Sequence, residues 1–332
     1  MEKKQAFNPY LPSWEYVPDG EPRVFGDRLY VYGSHDRFNG KGFCLNDYVC
    51  WSAPLDDLGN WRYDGVIFRK NQDPKNPKGR MSMNAPDVVQ GPDGRYYLYY
   101  QLAAMTFTSV AVSDRPEGPY EFYGHVEKDG TPYGETKGQP FCFDPGVLVD
   151  DDGHVWLYVG FSPEGLMYKM MSARGNVISG GYCVELAQDM KTVISEPTLV
   201  IPGPCCSEGT DYHGHGFYEA SSPRKIGGKY YLTYSSILSH ELCYAVSDRP
   251  DRDYRYGGTL VSIGDVGLNG RTEALNYTGN THGGMVQIHG QWYIFYHRQT
   301  NKQKCARQAC AEKIHIADDG TCLLYTSPSP RD

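Results

Sequence analysis

Five times along the chain a glycine-bearing turn opens into a short run of aromatic and branched residues: GDRLYVYGS from Gly26, GRYYLYYQL from Gly94, GHVWLYVGF from Gly153, GKYYLTYSS from Gly228 and GQWYIFYHR from Gly290. Such residues favour the pleated surface of a sheet, and the turn at the head of each run predicts a strand entered from a hairpin. The units recur after 68, 59, 75 and 62 residues, a period that suits one four-stranded sheet with its loops. A second repeat trails the first by one hairpin. AVSDRPEGPYEFYG at 111–124 and AVSDRPDRDYRYGG at 245–258 are near copies, and CWSAPLDDLGNWRYDG at 50–65 is a looser one. Sheets of this size cannot each bury both faces alone, whereas a radial arrangement lets each cover its neighbour. The pattern therefore predicts an all-β five-bladed β-propeller, formed as a single domain by residues 1–322.

Composition agrees: the 332 residues include 28 Tyr, 38 Gly and 22 Pro, strand formers and turn formers. With 32 Lys and Arg against 40 Asp and Glu the net charge is −8 and no basic stretch stands out, which argues against a nucleic-acid partner. No run of 18 apolar residues suggests a membrane partner either. Ten cysteines are scattered without a C-x-x-C pair and are expected to be reduced and mostly structural. The last ten residues, LLYTSPSPRD at 323–332, have no strand period and read as a non-native tail.

One ionisable residue precedes each repeat. Asp19 lies 7 residues before Gly26, Asp87 7 before Gly94, Asp144 9 before Gly153, Glu219 9 before Gly228 and His282 8 before Gly290. In a propeller the strand before the first hairpin is innermost, so these five side chains are expected to converge near the axis at one end of the channel. An Asp beside Gly or Pro is often only a turn former, but turn chemistry gives no reason for Glu in one copy and His in another. Four carboxylates and an imidazole around one axis would form an acid–base site.

Three of these segments together resemble glycoside hydrolase family 43, five-bladed propeller enzymes that cleave β-xylosides, α-L-arabinofuranosides and related glycans. YVPDGEPRVFGDRLYVYGSHD is similar to the opening blade that bears the family's catalytic base, which falls on Asp19; FDPGVLVDDDGHVWLY resembles the third-blade segment with an auxiliary Asp, here Asp144; HGFYEASSPRKIGGKYYLTYSS resembles the fourth-blade segment with the general acid, here Glu219. The likeness runs from NPYLPSW to KIHIADDG, most of the chain. It implies an inverting hydrolase acting on arabinose- or xylose-containing oligosaccharides, with no cofactor needed for the chemistry. The family usually shows Asp-Pro at the base, whereas this chain reads Asp19-Gly20-Glu21-Pro22, which keeps Glu21 as a fallback base; Asn84 stands where relatives often put an aromatic before Ala-Pro-Asp.

The remaining candidates are peripheral. Asp87 is assigned to hydrogen-bonding sugar hydroxyls, and Trp14 and Phe38 to stacking on sugar rings. His215, in YHGHG, lacks the H-E-x-x-H or cysteine set of a zinc site and is read as part of a rim loop that binds substrate beside Glu219; Arg298 joins the substrate-binding candidates. In some relatives the histidine equivalent to His282 helps hold a central Ca²⁺ or other hydrated cation, the alternative being an imidazole hydrogen-bonded within the channel. A retaining fructan-type propeller hydrolase would show Asn-Asp-Pro-Asn, Arg-Asp-Pro and Glu-Cys signatures, and none occurs. A non-catalytic carbohydrate-binding propeller remains the alternative of another class. MEKKQAFNPYLPSW has lysines with no apolar core behind them, so the expected location is cytoplasmic.

Overall fold

The structure, a computed structural model, describes residues 8–324. Twenty of its strands form five four-stranded antiparallel sheets, each a simple meander in chain order, set around one axis. The innermost strands are Glu21–Phe25, Met83–Gln90, Gly146–Val149, Phe217–Ile226 and Gly284–Ile288. The aromatic runs are the second strands, Arg28–Tyr32, Tyr96–Leu102, Val155–Gly160, Lys229–Ser236 and Gln291–Gln299. The near-copies 111–124 and 245–258 span the third and fourth strands of blades two and four, one hairpin further out.

Apolar side chains meet between blades rather than inside them. Tyr32, Tyr48, Tyr100 and Tyr120 pack with Val88 and Leu98 between blades one and two. Tyr99 and Tyr133 join Val147, Leu157 and Val184 between two and three, and Tyr158 and Tyr234 lie with Leu232 between three and four. The tyrosines are thus mostly core, as period-two aromatics on a two-sided sheet should be. Several of their hydroxyls reach carbonyls, Tyr158 donating to Pro250 O (2.6 Å) and Tyr99 to Met190 O (2.6 Å), while Tyr100 donates to Asp73 Oδ2 (2.7 Å).

The ring closes between blades five and one through the N-terminal segment. Tyr10 N donates to Ala309 O (3.2 Å), and Asn8 exchanges hydrogen bonds with the backbone of Ala311 (2.9 and 3.0 Å). The Tyr10 ring lies 4.7 Å from Trp61 of blade one and 5.3 Å from Phe295 of blade five, touching both sides of the seam.

Two details depart from the sequence reading. The outer strand of blade five runs Cys322–Leu324, pairing Leu323 with His315, so the propeller extends two residues past 322; residues 325–332 of the expected tail lie outside the described residues. A short helix, Gly165–Ser172, interrupts the loop between the second and third strands of blade three. No helix among the described residues is long and apolar enough to cross a membrane. All ten cysteines are free thiols; Cys205 and Cys206 are exposed, and most of the others are buried.

Candidate active site

The innermost strands all begin at the same end of the axis. Asp19, Asp144 and His282 each stand two residues ahead of one, while Glu219 lies just inside its own, opposite Ser235. All four side chains are buried, none more than 5% exposed. The backbone is left-handed at Asp19 (φ 57°), at Asp144 (φ 44°) and at Ala220 (φ 72°), beside Glu219. Strain of this kind persists only where the surroundings hold it, and it gathers at working sites.

The two outer carboxylates have unlike partners. Asp19 Oδ1 receives Arg307 Nη1 at 2.7 Å, and Asp19 N donates to His297 Nδ1 at 3.2 Å. Arg307 turns its other donors to Asp36, with Nε to Oδ2 at 2.9 Å and Nη2 to Oδ1 at 3.1 Å, and its guanidinium lies 4.9 Å over the Phe43 ring. Among the described residues Glu219 has no cation in hydrogen-bond contact: Asn280 Nδ2 donates to its Oε1 at 3.2 Å. Burial first, then the charges of Asp144 and Asp19, push the Glu219 carboxyl well above its usual range. His282 places Nδ1 3.7 Å from Asp144 Oδ2 and Nε2 3.5 Å from Glu21 Oε1. Burial opposes its protonation, but these carboxylates outweigh burial and raise its pKa well above the ordinary imidazole value.

A second charged layer lies one step further down the innermost strands. Glu21 Oε2 receives Arg224 Nη2 (2.9 Å) and Ser222 Oγ (3.0 Å). Burial disfavours the Glu21 anion, yet Arg224, His282 and Arg23 hold its carboxyl down at about 2. Glu21 is thus a paired carboxylate beneath the site, which removes the ground for keeping it as a fallback base.

Asp87 belongs to this lower layer and not to the upper ring. Arg23 clamps it through Nε (3.0 Å) and Nη2 (2.6 and 2.7 Å), and Val88 N and Val147 N donate to its two oxygens. Fully buried and held from every side, it has no oxygen left for a sugar hydroxyl. In blade two the position level with Glu219 is Asn84: Asn84 pairs with Gln101, seven residues past its turn glycine, as Glu219 pairs with Ser235, seven past Gly228. Asn84 Nδ2 donates to Gln101 Oε1 (2.7 Å).

The other substrate-binding candidates also lie away from the carboxylates. His215 Nδ1 bonds Glu241 Oε2 (2.8 Å) and its ring stacks 4.9 Å from Tyr256, turned toward the outer strands of blade four. His215, Glu241 and Cys243 have ligand atoms within 4.8 Å of one another. Glu241, however, also accepts from Ser236 and Thr259, and burial pushes the Cys243 thiol up to about 12. These contacts knit the three side chains into one hydrogen-bonded cluster around Glu241. Arg298 faces Asp265 (3.3 Å) and Tyr296, on the strand face opposite His297. Trp14 stands on the rim of a separate cleft on blade one. Arg307, Asp36, His297 and Asn280 were missed by sequence reasoning, since none sits at the repeat position; Asp36 closes the YGSHD stretch of the first blade but carried no signal of its own.

Comparison with known proteins follows the same lines. The family model described as glycosyl hydrolases family 43 matches residues 16–322. A xylosidase/arabinosidase of Thermoclostridium stercorarium is 53% identical over 96% of this chain, which spans 66% of that relative's length. Xylosidase/arabinosidase 43A of Humicola insolens is 32% identical, covering 85% of this chain and 88% of its own. A Xanthomonas citri enzyme solved with xylose superposes with a TM-score of 0.72 at 26% identity over 94% of this chain and 92% of its own. Matched by the family model from blade one to blade five, the chain belongs to glycosyl hydrolases family 43.

Proposed function

We propose that the protein is an inverting, exo-acting glycosidase that removes arabinose or xylose units from oligosaccharides, with Glu219 as general acid, Asp19 as general base and Asp144 as the carboxylate that raises and orients Glu219. The observation that carries the assignment is the contrast of partners: Asp19 meets a guanidinium and Glu219 an amide. A carboxylate in an ion pair is kept as an anion able to take a proton from water, and a buried carboxyl beside other carboxylates is kept protonated to give one to the leaving oxygen. Inversion needs this division of labour, with one group on each face of the sugar. Relatives named xylosidase/arabinosidase, and the neighbour solved with xylose, support a pentose as the substrate.

His282 enters the proposal as the floor of the site. Its two ring nitrogens and Glu21 Oε1 are buried without a hydrogen-bond partner among the described residues, a donor set that fits a hydrated Ca²⁺ with water completing the shell. Such an ion would take the place of the proton on His282, supplying positive charge beneath the carboxylates, with Glu21 and the neutral imidazole holding it through its water shell.

Incubation with aryl β-xyloside and aryl α-L-arabinofuranoside, with the newborn anomer followed by ¹H NMR, tests the assignment. An inverted first product is expected. A retained one would overturn the mechanism, and no turnover of either substrate would overturn the pentosidase reading.

A further inference from the structure

On the same face as the carboxylates, blade one carries a cleft of about 330 Å³ whose walls include Trp14, Tyr16, Phe38 and Tyr63. Trp14 is 66% exposed, and Phe38 and Tyr63 are each 48% exposed. Single exposed aromatics are ordinary on a protein surface, but three around one polar-floored cleft make a platform. Their rings are held in place. Phe38 stacks on Tyr16 at 5.7 Å and 20°, and Trp14 and Tyr63 lean on Trp51 at 6.0 and 5.2 Å. Trp51 is pinned by Nε1 to Glu15 Oε2 (3.0 Å), and the other oxygen of Glu15 takes His35 Nε2 (3.0 Å). Tyr16 OH accepts from Asn301 Nδ2 (3.1 Å).

Polar groups stand between the rings. Arg37, exposed, spends Nε on Asn46 Oδ1 (3.1 Å), and its terminal N–H groups have no partner among the described residues. Asp36 lies in the floor, and through Arg307 it is one side chain from Asp19. Flat hydrophobic faces with free donors at their edge match a sugar ring, whose C–H face packs on an aromatic while its hydroxyls accept hydrogen bonds. Because rings and floor are already fixed, little ordering entropy opposes binding.

We propose that this cleft is a sugar-binding subsite that engages a pentose ring of the oligosaccharide at a distance from the scissile bond; the proposal rests on the pentoside-hydrolase reading above. The occupant is a neutral pentose oligosaccharide, since the cleft's buried carboxylates are already paired and, among the described residues, its free cation, Arg37, serves as a hydrogen-bond donor.

The test compares kcat/KM on xylohexaose with kcat/KM on an aryl β-xyloside in Trp14→Ala and Phe38→Ala. The ratio should fall about tenfold in each, the loss of one stacking contact, mainly through a higher KM for the hexaose, and Trp14→Phe should restore most of it. An unchanged ratio in both alanine variants overturns the proposal. If the wild type turns over no pentoside, the functional reading falls by itself and calorimetry on Glu219→Gln decides for the cleft. Xylohexaose heat that is lost on adding Trp14→Ala sustains the subsite; equal heat with and without Trp14, or none in either protein, removes it.

Discussion

Asp19 and Glu219 differ by one methylene, and what separates the roles proposed for them is the company each keeps. Substituting Glu219 by Gln should cripple hydrolysis of substrates with poor leaving groups by about 10²–10⁴-fold while sparing aryl glycosides, which depart without protonation. Asp19→Asn should lower both by a similar factor, because water must be activated whatever departs; Asn suits the test better than Ala since it tolerates the left-handed backbone at φ 57°. Steady-state rates on the two substrate types check both. Asp144 ranks directly after burial among the causes that raise Glu219, so Asp144→Asn should move the alkaline limb of the pH–rate profile downward; an unmoved limb would remove the auxiliary role. Asp36 acts one bond further out. It holds the Arg307 guanidinium against Asp19, so Asp36→Asn should loosen the group that positions Asp19 and lower kcat about tenfold with KM little changed, whereas a general loosening of the fold would show as a lower melting temperature.

At the scale of strands and turns, how far the site was legible depended on hairpin length. Blades one, four and five turn between the first two strands in two residues, as Phe25 to Arg28 shows, but blades two and three use five, Gln90 to Tyr96 and Val149 to Val155. Counting back 9 residues from Gly153 therefore reaches the upper ring at Asp144, whereas counting back 7 from Gly94 stops at Asp87, a layer too deep. A bulge between Asn84 and Asp87 adds a further residue, and a backbone irregularity of that kind leaves no composition signal. The aromatic second strands were plain because period two and turn glycines are local properties. Arg307 and Asp36 were hidden because their pairing spans 271 residues and is set by ring closure. Close approach of the blades is equally silent in sequence: a Cβ on Gly146 would lie 2.2 Å from Ser221 O of the neighbouring blade. Gly146→Ala should force those two innermost strands apart, cost about 1–3 kcal/mol, and displace Asp144 two residues away. A lower melting temperature together with a lower kcat is expected; a stable variant of normal activity would show that the seam can give.

For the molecule as a whole, apolar seams between blades supply cohesion while the axis is filled with charge, and the two carboxylates most strongly perturbed there act on stability in opposite pH ranges. Glu21 has its folded pKa depressed to about 2 from 4.5. Its contribution is therefore fully present above pH 4.5 and is lost as the pH falls toward 2. Glu219 has its folded pKa raised above 4.5, so the native state binds the extra proton; its contribution is present below pH 4.5 and disappears as the pH rises through the native pKa. Acid weakens the lower layer and alkali the upper one. Glu219→Gln keeps the shape of the protonated acid and cannot ionise. Its melting temperature should match the wild type below pH 4.5, where the native carboxyl is neutral, and exceed it by a margin that grows as the pH rises above 4.5 and the wild-type fold comes to oppose ionisation of the buried carboxyl. Glu21→Gln should do the reverse, falling below the wild type at neutral pH by leaving Arg224 unpaired and converging with it toward pH 2. Calorimetric melting of the three proteins across that range checks the pair of signs. A Glu219→Gln margin that stays constant with pH would mean that the wild-type carboxyl is not raised, and the acid would then have to be sought among the other carboxylates of the ring.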